Sequence, residues 1–244
     1  MRTNQDRPKR SSPTTKARIA GVLWLLVIIT GLAAFVIRSP LIVRGDAAAT
    51  TTNILANELM FRLAFVSDLV AGICYLGVTV LLYRLLKPVS GSIALLAAFF
   101  GLAGVVVGSA TAIAGFSTFV VLGDAQYGNT FTTSQLQSIA HVFLRLDAFG
   151  FSTAMVFFGL QMLSVGILIA RSTFLPRILG VLLAIGGSSY IISSIATFVA
   201  PAIGARLTPF IVPAALIGEG SLTVWLILKG VNEEKWKETA AAAT

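Results

Sequence analysis

Residues Ser92–Val121 read SIALLAAFFGLAGVVVGSATAIAGFSTFVV, a run without a single ionisable side chain. A helix crossing a bilayer core needs about 20 mostly apolar residues, because no water is there to satisfy backbone N–H and C=O groups. Working outward from this run, five further stretches meet the same demand: Ala17–Ile37, Phe61–Tyr83, Ala148–Ala170, Pro176–Phe198 and Thr208–Leu228. The expected fold is therefore all-α, a polytopic integral membrane protein with six transmembrane helices. Composition agrees: 56% of residues are hydrophobic and 11% charged, against about 25% charged in soluble domains. The first run exceeds the roughly 7 to 15 apolar residues of a secretory signal, so it is expected to be a retained helix. The domain plan is a disordered basic cytoplasmic tail over 1–16, a six-helix domain over 17–232, and a cytoplasmic C-terminal tail over 233–244.

Lysine and arginine set the orientation, since segments held in the cytoplasm carry their excess. Arg2, Arg7, Lys9, Arg10, Lys16, Arg18, Arg84, Lys87, Arg171, Arg177, Lys229, Lys235 and Lys237 all fall on one side. The opposite loops hold Arg38, Arg44 and Arg206, with Arg62 and Arg145 at outer helix ends. Both termini are expected in the cytoplasm, and the location is the cytoplasmic (inner) membrane. The net charge of +8 mostly expresses this asymmetry, so no nucleic-acid partner is expected. Membrane lipids are.

Two outer segments carry helix-start signals. Asp46 can cap a helix through Ala47 that runs into the second span, and Thr132 with Gln135 has capping-box spacing ahead of the fourth. The second and fourth spans are thus expected to project beyond the membrane. FRLAF opens the second span and LRLDAF the fourth; helix-end chemistry or chance explains so short a repeat as well as duplication does.

The polar residues inside the spans hold whatever chemistry the chain has. A charge at the bilayer centre costs roughly 2.5 to 3.5 kcal/mol, so such groups normally face partners or water within the bundle. Asp68 shares a stripe of the second span with Gly72, Tyr75 and Thr79, at helical spacing. Glu219 stands near the centre of the sixth span between Gly218 and Gly220. In the stretch HVFLRLDAFGF, His141 and Arg145 share a face while Asp147 lies about 160° around the helix from Arg145. The candidate site is an outward-facing polar pocket between the second, fourth and sixth spans, lined by Arg62, Asp68, Tyr75, His141, Arg145, Asp147 and Glu219. Within it, Glu58 and Arg62 are expected to pair at i, i+4, and Arg62 with Asp147 and Arg145 with Asp68 to pair between helices. Three acids for two arginines leave one over, and Glu219 is the expected protonated acid. The opposing reading is that these residues only fix helix register. GVVVG at Gly104–Gly108 is read as close packing ahead of a dimer interface, and GGSSY at Gly186–Tyr190, with Ser193 and Ser194, as backbone hydrogen bonding and close packing ahead of a pocket lining.

Several chemistries are excluded by residue count. Bis-histidine haem and three-histidine zinc need more than His141 alone; a retinal Schiff base needs a mid-membrane lysine, which the six runs lack. Cys74 can form neither an internal disulfide nor a cysteine cluster. No P-loop, dinucleotide fingerprint or GxSxG elbow is present. No metal, no cofactor and no catalytic residue is assigned.

Three segments carry a resemblance: RSPLIVRGDAAATTTNILANELMFRL, STFLPRILGVLLAIGG and GEGSLTVWLILKGVN. With them, the chain from about Ala17 to Asn232 resembles a bacterial and archaeal family of small multi-helix membrane proteins, the domain of unknown function 4386. The resemblance implies a cytoplasmic-membrane location and a shared helical fold, and no activity. Its matching positions include Asp46, Glu58, Arg62, Asp68, Pro176, Arg177 and Glu219; the roles of Arg145 and Asp147 rest on physical reasoning alone. A structural or regulatory membrane subunit is the favoured function. The alternatives are binding or transport of a small polar or anionic molecule or lipid headgroup, and an intramembrane enzyme. Self-association into a homo-oligomer stays open.

Overall fold

The computed structural model describes residues 12–123 and 125–243. Arg2, Arg7, Lys9 and Arg10 of the expected basic tail lie outside the described residues. Ten elements follow one another: α1 (Pro13–Arg38), a 3-10 turn (Ser39–Leu41), α2 (Ala47–Ala56), α3 (Glu58–Leu86), α4 (Gly91–Gly123), α5 (Ala125–Thr130), α6 (Thr133–Arg171), α7 (Arg177–Val199), α8 (Pro201–Leu228) and α9 (Glu233–Ala242). Among the described residues there is no strand. Six of these helices, α1, α3, α4, α6, α7 and α8, are long and apolar enough to cross a membrane. The chain is a multi-pass membrane protein. An even number of crossings puts α1's start and α9 at one end, called here the terminal end, and α2 and α5 at the distal end.

The six helices pack in chain order, α1 on α3, α3 on α4, α4 on α6, α6 on α7 and α7 on α8, and α8 returns to α1 to close a ring. Their lipid-facing sides are apolar, as with Ile73 at 72% exposure, so hydropathy identifies the spans while saying little about which face turns inward. Small residues set the tightest contact. A methyl at Gly159 would stand 2.6 Å from the Gly187 carbonyl oxygen, and one at Gly166 at 2.6 Å from that of Gly180, so α6 and α7 touch backbone to backbone. The GVVVG segment also serves packing within the chain: Gly104 receives the Phe158 ring of α6.

Local signals act as read. Asp46 accepts a hydrogen bond from Ala49 N at 2.8 Å, and Thr132 with Gln135 forms a full capping box. At about 1.5 Å per residue, the 39 residues of α6 span about 58 Å, well beyond a hydrocarbon core of about 30 Å. Four boundaries differ from expectation. Helix α1 begins at Pro13, inside the segment expected as tail, because Ser12 caps it by accepting from Thr15 N at 3.1 Å. Helix α2 does not run straight into α3; Asn57, at φ −124° and ψ 41°, breaks the helix between them. Helix α8 starts at Pro201, seven residues before the expected Thr208, with Pro209 and Pro213 carried inside it; membrane helices tolerate interior proline where neighbours re-satisfy the backbone. The segment expected as a C-terminal tail is the docked helix α9: Trp236 Nε1 donates to the Leu85 carbonyl at 2.8 Å, and Asn232 N to that of Phe174 at 3.2 Å.

Candidate functional site

The stripe Asp68, Tyr75, Thr79 of α3 does face the ring interior, and each residue meets a different partner. Thr79 accepts from Gln161 Nε2 of α6 at 3.2 Å. Tyr75 packs edge-on to Trp24 of α1, with ring centroids 6.4 Å apart, and against Phe158 of α6 at 4.6 Å. Asp68 is held by Arg38. The interior is thus organised into a central aromatic and carboxylate group and a separate distal ion cluster.

At the centre, Glu219 of α8 takes one donor on each oxygen. Trp24 Nε1 donates to Oε2 at 3.0 Å and the Tyr190 hydroxyl to Oε1 at 2.9 Å. These two bonds join α1, α7 and α8 around one carboxyl group. No lysine, arginine or histidine lies within ion-pair distance of Glu219 among the described residues. Trp24 is 2% exposed, and an indole N–H so buried needs an acceptor. Glu219 supplies it.

At the distal end, Arg38 bridges two acids. It pairs with Asp68 through Nη2 and approaches Asp147 Oδ2 through Nη1 at 3.8 Å. The three side chains are 16 to 28% exposed, and together they tie α1, α3 and α6. Asp147 reaches this place across α4, where a methyl at Gly115 would stand 2.8 Å from its carboxyl carbon.

The expected pairings of Arg62 with Asp147 and Arg145 with Asp68 do not form. Arg62 donates Nε and Nη2 to Glu58 Oε1 at 2.8 and 2.5 Å on its own helix and lies over the Phe119 ring of α4, 4.6 Å from its centroid. Arg145 is exposed and rests over Phe149 of its own helix at 5.5 Å. The cation that both acids share is Arg38, which the sequence reading places in a loop. Helix α1 continues to Arg38 and then a 3-10 turn, so the guanidinium is anchored at the lip of the ring and reaches inward along its own flexible stem. The signal that reveals it is position alone: Arg38 directly abuts the apolar run of the first span. His141 joins neither cluster; its Nδ1 is buried and has no partner among the described residues. Of the seven expected pocket residues, the structure joins Asp68 with Asp147, and Tyr75 to the surroundings of Glu219, while Arg62, Arg145 and His141 stand apart.

Sequence reasoning passes over Trp24 and attributes GGSSY to packing. Both glycines of that segment do pack, Gly187 against α6 and Gly186 beside Met162 and the α8 backbone, but Tyr190 is a Glu219 donor. The usable signal is chemical: a buried acid in lipid requires donors, and Trp24 and Tyr190 are aromatic N–H and O–H groups within the apolar runs.

The family model for the domain of unknown function DUF4386 matches residues 19–230. The chain belongs to this family. An uncharacterized protein of Archaeoglobus fulgidus is similar to it, 27% identical over 155 residues that cover 63% of this chain and 75% of the relative. No solved structure matches. The DUF4386 match runs from the first turns of α1 to the end of α8 and so takes in both clusters, Trp24, Tyr190 and Glu219 as well as Arg38, Asp68 and Asp147. Family membership carries no activity to this chain. Among the described residues no group of three or more His, Cys, Asp and Glu side chains is arranged to hold a metal.

Proposed function

We propose that this protein is a structural or regulatory membrane subunit whose intramembrane polar residues hold six helices in register. The observation that supports this is that Asp68 and Glu219 accept hydrogen bonds from other helices of the same chain, and Asp147 lies in ion-pair range of Arg38. Groups so used fix neighbours and rotation, the best-attested role of buried polar contacts. In this reading the chain resides in a cytoplasmic membrane with both termini inside, which the nine lysines and arginines at the terminal end among the described residues support. Membrane lipids are its partners in this reading, and self-association stays open.

A second reading, binding or transport of a small polar or anionic molecule from the distal side, draws on Arg145, a cation exposed at the rim that forms no ion pair among the described residues. Native mass spectrometry of protein extracted in mild detergent separates the two. The structural reading expects protein masses carrying lipid adducts alone. A non-lipid adduct that vanishes in Arg145→Gln or Asp147→Asn overturns it in favour of the second.

A further inference from the structure

A cleft of about 550 Å³ opens at the distal end between α3 and α4, lined by Leu55, Glu58, Arg62, Phe116, Phe119 and Gly123, among others. Its volume falls within the roughly 300 to 1,000 Å³ of small-molecule sites. We propose that it binds the headgroup of a zwitterionic phospholipid with a primary ammonium, of the phosphoethanolamine kind. Depth is the first reason. Glu58 opens α3 and Gly123 ends α4, and both helices outreach a hydrocarbon core of about 30 Å, so their distal ends carry the cleft to the headgroup side of the hydrocarbon edge, with its Leu and Phe walls continuing toward the acyl region.

Charge is the second reason. Arg62 and Glu58 are both about half exposed, and their charges cancel, so an anion alone would meet Glu58 as well as Arg62. A zwitterion meets both groups favourably. The pair is also only half used: both guanidinium bonds go to Glu58 Oε1. Among the described residues Oε2 and the Nη1 edge make no hydrogen bond or ion pair, and a guanidinium has five N–H donors to give. Phosphate on Nη1 and ammonium on Oε2 can therefore join without breaking the existing pair. The third reason is rigidity. Arg62 is laid over the Phe119 ring at 4.6 Å and near Phe116 at 5.9 Å, which holds the planar fork at the cleft wall in the manner of a cation–π contact. The site shares Arg62 with the pocket expected between the second, fourth and sixth spans, but its other walls come from α2 and α4 in place of the fourth and sixth spans.

The test is native mass spectrometry of the full chain reconstituted in nanodiscs of equal phosphatidylethanolamine and phosphatidylglycerol. Wild type is expected to retain phosphatidylethanolamine at least about fivefold over phosphatidylglycerol. Arg62→Gln should lower that retention about fivefold, and Glu58→Gln should erase the preference between the two lipids while phosphatidylglycerol is still held. Gly123→Trp provides an arm that leaves both charges in place: a side chain at Gly123 meets nothing within 4 Å of its first carbon, so the indole can occupy the cleft mouth and expel the headgroup. Lys87→Gln at the terminal end should change nothing. Equal retention of the two lipids by wild type, a preference for phosphatidylglycerol, or unchanged retention in both Arg62→Gln and Gly123→Trp overturns the proposal.

Discussion

The indole of Trp24 donates to Glu219 Oε2 at 3.0 Å, joining the first membrane helix to the last across 195 residues of chain. With the Tyr190 hydroxyl on Oε1 at 2.9 Å, this contact fastens the seam where α8 meets α1. Glutamine can reproduce it: its carbonyl accepts from Trp24, and its amide donates to Tyr190, whose hydroxyl accepts as readily as it donates. Glu219→Gln should shift unfolding in mixed micelles by less than about 1 kcal/mol, and Glu219→Leu, which orphans two buried donors, should cost about 1 to 3 kcal/mol. Equal losses in the two variants would refute the hydrogen-bonding account.

Arg38 should matter more than either arginine of the expected pocket. Removing it leaves Asp68 and Asp147 facing each other without their shared cation, a loss of about 3 kcal/mol, at the low end of the range for buried pairs because all three groups keep some solvent. Arg145→Gln, at an exposed site, should stay within about 0.5 kcal/mol. Unfolding of both variants, with Arg38→Gln/Asp147→Asn recovering part of the loss, checks the assignment.

Two glycines give opposite predictions for the same change. A methyl at Gly115 meets the Asp147 carboxyl at 2.8 Å, whereas one at Gly220 meets nothing within 4 Å. Gly115→Ala should destabilise by about 1 to 3 kcal/mol through overpacking, and Gly220→Ala should be neutral or stabilise by up to about 1 kcal/mol through helix propensity. Parallel melting curves decide it.

Docking of α9 should depend on pH through Glu233. Hydrogen bonds from Ser12 and then Thr14 hold its carboxyl below its ordinary value of 4.5. A depressed carboxyl contributes stability above its unfolded pKa, and that contribution is lost as pH falls through the folded value. Protection factors of the amides over 233–242 should therefore be higher at neutral pH than below about pH 4.5. The Glu233→Gln variant should show no such fall in protection.

Cysteines introduced at Ser12 and Thr239 should resist a membrane-impermeant thiol reagent applied to intact cells and react once the cells are opened. Labelling of either from outside would reverse the proposed orientation.

The spans were readable because each element needs only its own sequence: hydropathy gives the crossing, and Asp46, Thr132 and Gln135 give the helix starts. The Glu58–Arg62 pair was readable for the same reason, both residues lying on one helix. Asp147 shows where this stops. Its helical angle correctly separated it from Arg145, but an angle names a direction and not the neighbour found there, and only ring closure brings α1 and its Arg38 within reach. Trp24 and Tyr190 stayed hidden because an aromatic side chain counts as apolar until the acceptor for its polar atom is known.

Ring closure also orders events in time. At synthesis rates of about 5 to 20 residues per second, the 195 residues between Trp24 and Glu219 take roughly 10 to 40 s to make. Throughout that interval the indole N–H of the first helix lacks the carboxyl that will receive it. The last crossing is therefore the step that completes the first, and a nascent chain cut short before α8 leaves an open arc with a polar edge turned toward lipid.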